Sequence, residues 1–216
     1  MRATSMIEKN IANILATGST GNCVLYFNSI AIDMGISFVY IKPHLKNLKL
    51  LLLTHEHLDH FKISTIKRIQ FERPTLRIGC CKWMLPLLDG LRNIDVYEIG
   101  QLYDYGQFQI SPFKLYHDVE NCGYRIFKNE LKVFHATDTA HLKGITAKEY
   151  DLFSIEHNYN EETVFDTIKR IELNGGYAHQ RGSINSHLSE QQAKDFIFKN
   201  KKETSEVIRL HESKTT

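Results

Sequence analysis

Apolar residues in this chain gather in short runs closed off by turn residues. "NILAT", "NCVLYF", "IAID", "LKLLLLT", "LRIGC" and "IDVYEI" come first, followed by "FQISPF", "GYRIF", "LKVFHAT", "YDLFSI" and "EVIRL". Each has the length of a strand, and most are bounded by Gly, Asn, Asp or Pro, which favour turns over pleated backbone. A second pattern, with apolar residues three and four apart, predicts helices. It puts Phe61, Ile63, Ile66 and Ile69 on one face over residues 61–72, and Val164, Phe165, Ile168 and Ile171 on one face over 160–173. Over 189–199 it aligns Ala193, Phe196 and Ile197, with Ser189 and Gln192 spaced as a capping box. Many early strands, interposed helices and a closing helix–strand pair predict an α/β (α+β) architecture of two sheets flanked by helices. No linker or repeat divides the chain, so residues 1–216 are expected to form a single domain.

With 216 residues, 42% hydrophobic and 24% charged, the chain can bury a sizeable core. A formal charge of +2 makes no electrostatic case for nucleic acid, and "KISTIKRIQFERPTLR" and "FKNKK" read as solvated helix faces. The opening "MRATSMIEKN" lacks the apolar run of a signal peptide, and no stretch of about 18 apolar residues could span a bilayer. A cytoplasmic protein without membrane contact is therefore expected. Cys23, Cys80, Cys81 and Cys122 lack the spacing of a disulfide framework and are expected as free thiols. "ATGSTGN" is a glycine turn between strands without the lysine of a phosphate-binding loop. Eleven histidines are the compositional feature that demands a chemical reason.

Three of them fall in "THEHLDHF", directly after the most apolar run. If residues 50–53 form a buried strand, the chain leaves the sheet at Thr54, and the turn before the next helix can project His55, His57, Asp59 and His60 toward one point. Neutral imidazole and carboxylate are ligands for Zn²⁺ and comparable divalent ions. Four such side chains exceed what one tetrahedral ion takes from a single loop. Two adjacent ions fit better, one on His55 and His57, the other on Asp59 and His60.

The His-x-His-x-Asp-His spacing of "HEHLDH" is the signature of the metallo-β-lactamase fold, a four-layer αββα sandwich with a metal site at one sheet edge, and the chain resembles that family. Within it, the chain is similar to the small bacterial YycJ/WalJ-like exonuclease group through "ATGSTGN", "AIDMGIS", "LLLTHEHLDH", "LYHDVENCGYRI", "ATDT", "FSIEHNYN", "SHLSEQQA" and "IRLHES". It departs at Asn158-Tyr159-Asn160, where relatives usually carry Asn-His-Asp, and in ending "HESKTT" without a pair of asparagines. The resemblance implies that His117 is the third histidine on the first metal, that Asp138 bridges the two, and that His211 completes the second with Asp59 and His60. It leaves His187 free of metal to meet the substrate's phosphate, Glu156 behind it, and Asp33 behind the metal loop without ligating. His135 then reads as a core residue and His141 as a solvated one.

The implied function is hydrolysis with two divalent metal ions, zinc or manganese with iron as the further option. The expected substrate is the phosphodiester of a nucleic acid, cut as by a DNA exonuclease, with Asp59, His187 and Glu156 as catalytic groups. Three alternatives remain: a small-molecule phosphodiesterase such as a cyclic-nucleotide hydrolase, a thioester or lactam hydrolase, and a catalytically silent metal-binding module. The sequence carries no indication of oligomeric state.

Overall fold

The computed structural model describes residues 11–175 and 180–211; the opening "MRATSMIEKN" and Ser213 of "HES" lie outside them. In chain order the elements are β1 (Ala12–Ala16), β2 (Cys23–Tyr26), β3 (Ile30–Ile32), α1 (Phe38–Ile41), β4 (Leu50–Leu53), α2 (Ile63–Glu72), β5 (Arg77–Cys81) and β6 (Ile94–Tyr97). Then come β7 (Tyr103–Asp104), β8 (Gln109–Tyr116), β9 (Glu120–Lys128), β10 (Leu131–Ala136), β11 (Leu152–Glu156), α3 (Val164–Leu173), α4 (Gln180–Ser186), α5 (Glu190–Asn200) and β12 (Glu206–Leu210).

The strands form two sheets, ordered β1-β2-β3-β4-β5-β6 and β12-β11-β10-β9-β8-β7. Each is antiparallel on one side and parallel on the other: β3, β4, β5 and β6 run parallel in the first, β10, β11 and β12 in the second.

Period-two alternation explains the layering. Along β4, Leu50 and Leu52 face the core between the sheets, while Leu51 and Leu53 face the layer of α1 and α2 with Ile41, Ile66 and Ile69. Along β10, Val133 faces the inter-sheet core, whereas Phe134 and Ala136 pack outward with Phe196 and Ile197 of α5. Apolar groups on both faces of both sheets require helices outside each sheet, so the expected four-layer αββα sandwich is what forms. The capping box is present: Gln192 N donates to Ser189 Oγ at 3.0 Å, and Ser189 N donates to Gln192 Oε1 at 2.9 Å.

Several details differ from the sequence pattern: it predicts neither α1 nor α4, and Phe61 precedes α2 rather than joining it. Phe165 does not share the buried face of α3: Val164 and Ile168 are buried, but Phe165, one residue and so about 100° around the helix, is 67% exposed. The two-residue β7 is too short to leave a periodic signal. All four cysteines are free and buried. Among the described residues no helix is long and apolar enough to cross a membrane.

Candidate metal centre

The carboxyl ends of β3, β4, β10, β11 and β12 and the turn after β8 converge at one edge of the sandwich, where open α/β sheets bind ligands. Asp33 follows β3, His55 to His60 follow β4, and His117 follows β8. Asp138 lies just after β10, Glu156 ends β11, and His211 follows β12. Asp33, Asp138 and His211 adopt left-handed backbone, with φ of 62°, 55° and 48°. Such geometry is unfavourable for residues with a side chain and here turns each one off its strand into the site.

The loop from 54 to 60 is clamped through its backbone. Asn22 N donates to Asp59 O at 2.6 Å, Met34 N donates to His60 O at 2.8 Å, and Gly35 N donates to Asn22 O at 3.0 Å. Gly35 is required by this approach, because a Cβ there would lie 1.7 Å from the Asp59 carbonyl oxygen. Buried Asp33 accepts from Thr54 N (3.0 Å), from the Thr54 hydroxyl (2.9 Å) and from His60 Nδ1 (2.7 Å). From the second sheet, the Tyr124 hydroxyl donates to Leu53 O at 2.5 Å, tying the root of the loop to β9.

These bonds fix which imidazole nitrogens face inward. His117 Nδ1 donates to Ser186 O (2.8 Å), turning Nε2 toward His57 Nδ1 at 3.3 Å. His55 Nδ1 meets the Thr54 hydroxyl (2.9 Å), and His55 Nε2 is buried with no hydrogen-bond partner. A buried nitrogen lone pair with nothing to accept is costly unless a cation takes it. With Nδ1 committed to Asp33, His60 Nε2 lies 2.7 Å from Asp138 Oδ2, an approach that needs a proton or metal cation between the two. His211 Nε2 stands 3.4 Å from Asp59 Oδ2 and 3.5 Å from Asp138 Oδ1. Inward ligand atoms of His55, His57 and His117 lie within 4.8 Å of one another, as do those of Asp59, His60 and His211, and those of His55, His60 and Asp138. This nitrogen–oxygen donor set is of the kind that holds divalent metal ions.

The electrostatics of three donors agree with that chemistry; burial would lower His60 and His211 too, but neighbouring carboxylates, Asp138 foremost, raise both. Burial, with His60 nearby, keeps His55 well below the usual imidazole range, and burial lowers His117 as well, so both are neutral and able to ligate. Burial alone would raise the Asp138 carboxyl, but His60, His187 and His211 hold it well below its ordinary value. It is an anion.

His187 is held differently. It follows α4, two residues before the Ser189 cap of α5, and its Nδ1 hydrogen-bonds Glu156 Oε1 and lies 3.2 Å from Asp138 Oδ1. Fully buried Glu156 also accepts Thr139 N and Leu188 N on Oε2, both at 3.1 Å. Burial would lower the His187 imidazole, but hydrogen bonds to Asp138 and Glu156 lift it to about 10.

Every sequence-predicted site residue thus reaches one locus, including His211, and Asp33 and Glu156 stand behind histidines. His135 is a core residue, its Nδ1 2.8 Å from the Tyr26 hydroxyl. His141 is half-buried rather than solvated, because the Tyr116 ring covers it. Sequence reasoning missed Asn22, whose amide meets Asp59 Oδ2 at 3.1 Å and His60 Nε2 at 2.8 Å, and Asn158, whose amide meets His211 Nδ1 at 3.0 Å. Asn22 lay in view inside "ATGSTGN", but its turn role masked its second one.

Residues 30–163 match the family model described as the beta-lactamase superfamily domain. The exodeoxyribonuclease YycJ of Bacillus anthracis is 26% identical over 169 residues, a stretch that covers 69% of this chain and 63% of that protein. The chain therefore spans under two-thirds of that relative's length. Among solved structures, the metallo-β-lactamase fold protein YhfI of Bacillus subtilis is similar with a TM-score of 0.68 at 17% identity, covering 93% of this chain and 85% of that one. The short form of human tRNase Z gives 0.63 at 15% identity, with 94% and 93% covered.

Proposed function

The chain belongs to the beta-lactamase superfamily, and on that premise we propose that it is a dinuclear metal-dependent phosphodiesterase acting on nucleic acid in the manner of an exonuclease. The observation that carries the reading is the contrast between two kinds of histidine at one locus. Inward nitrogens such as the unpartnered His55 Nε2 are arranged to receive a cation, while His187 is anchored on buried Glu156 with its Nε2 left over. In this reading His55, His57 and His117 would hold one metal, Asp59, His60 and His211 the other, and Asp138 would serve both. When bound, two such cations supply Lewis acidity toward a phosphoryl oxygen and toward attacking water.

The chain's own groups do the rest. His187, with Nδ1 occupied by Glu156, donates the Nε2 proton to the departing oxygen as the phosphorus–oxygen bond breaks. Glu156 fixes the ring and stabilises the imidazolium, an interaction strengthened by burial. Asp59, steadied by the Asn22 amide, both ligates and orients the attacking water. The Bacillus anthracis relative's name supports DNA as the substrate class.

Metal content of purified, metal-saturated protein and a substrate panel test the reading together. Two equivalents per chain and shortening of end-labelled single-stranded DNA are expected. Turnover confined to cyclic mononucleotides or thioesters, or fewer than two equivalents, would overturn it.

A further inference from the structure

Two rings stand at the rim of the site on segments that also carry its donors. Tyr116 immediately precedes His117, and His141 is three residues beyond Asp138. Their centroids are 4.4 Å apart with planes tilted by 36°, and Tyr116 is 45% exposed. Backbone bonds hold the pair in place. Ala140 N donates to Tyr116 O at 2.7 Å, Tyr116 N donates to Thr139 Oγ1 at 3.0 Å, and the Thr139 hydroxyl donates to His141 O at 3.0 Å. Thr139 N in turn donates to Glu156, so the ring pair and the carboxylate behind His187 share one rigid segment. None of these bonds uses the tyrosine ring.

From His141 and Leu188, the neighbour of His187, a cleft of about 420 Å³ extends between residues 141–148 and α5. Lys143, Lys148 and Lys199 line it; among the lining residues Asp195 is the one acid, and it pairs with Lys199. The cleft therefore carries net positive charge beside a buried polar centre, and His141, one of its lining residues, packs on Tyr116.

Resting on the phosphodiesterase reading above, the geometry points to this cleft as the seat of nucleotides adjoining the scissile phosphate of a single-stranded nucleic acid. One base stacks on the exposed side of the Tyr116 ring, which His141 backs from the other, and Lys143 and Lys148 meet the backbone phosphates. Ring faces accept any base, and lysines track phosphates without reading sequence, so the site recognises a strand rather than a base order. A cyclic mononucleotide, with one phosphate and one base, would leave the lysines idle.

Fluorescence anisotropy of labelled eight-residue oligothymidylate, with metal-loaded protein in a His187→Ala background so that the strand is not consumed, tests this without relying on turnover. Tyr116→Ala and His141→Ala are each expected to weaken binding about tenfold, with Tyr116→Phe close to the parent. Lys143→Gln and Lys148→Gln should each reduce the slope of log affinity against log salt by about one. An abasic strand of equal length should bind weakly and be insensitive to Tyr116→Ala. Oligothymidylate binding within twofold of the parent in Tyr116→Ala, or affinity no greater than that of thymidine monophosphate, would overturn the proposal. A wild-type protein that binds the strand this way but shortens none would sink the hydrolytic reading and leave the cleft standing.

Discussion

His187 carries the sharpest residue-level expectation, because one of its ring nitrogens lies within 4.8 Å of ligand atoms of Asp138, Glu156 and His211, so the residue could serve an ion instead of a substrate. Its Glu156 anchor argues for proton donation. His187→Ala is therefore expected to keep two metals and lose about 10²–10⁴-fold in kcat; elemental analysis beside the rate decides, since a matching drop in bound metal would make His187 a ligand.

His135 makes a different prediction. Burial pushes its imidazole down to about 3 from 6.5, so the folded protein refuses a proton that the unfolded chain accepts. Its contribution to stability is complete above about pH 6.5 and is lost as pH falls toward 3, at up to about 1.4 kcal/mol per pH unit. In chelator, where protons do not compete with metals, His135→Gln should flatten the profile of urea midpoint against pH between 6.5 and 4. An unchanged slope would assign the acid sensitivity to other buried histidines. At this scale the charged and imidazole donors were legible in the sequence because their chemistry is distinctive. Asn22, Thr54 and Asn158 were not, since an amide or hydroxyl gains a role only when the fold sets it against a ligand.

Elements decide whether the donors can meet. The loop after β4 docks on the backbone around Gly35 with no room for a methyl group. Gly35→Ala is expected to displace Asp59 and His60, to cost about 1–3 kcal/mol by overpacking, and to weaken metal affinity; calorimetric titration of the metal would detect it, and unaltered affinity would show that the loop can shift as a body. The strands were readable because both faces of each sheet are covered, so apolar runs are dense, and α5 because its capping box marks its start. Phe165 misled because an apolar residue beside a buried one raises the helical signal while pointing elsewhere.

For the whole molecule, the donors divide between the two sheets: His55, His57, Asp59 and His60 hang from the first, His117, Asp138 and His211 from the second. Bound ions would therefore stitch the sandwich along one edge. Chelation should lower Tm by several degrees, since a ligand at a hundred times its Kd stabilises by about 2.7 kcal/mol. A melting curve indifferent to chelator would mean that the hydrophobic seam alone holds the sheets. Strand order was the least legible feature, because the pairing of β10 with both β9 and β11 depends on connections rather than on any local pattern.

Asp59 and His211 touch although 152 positions separate them along the chain. During synthesis the histidine-rich segment emerges long before its distant counterparts. An ion captured then would be held by an incomplete set of groups, and the docking of β12 would complete the set and tighten the hold.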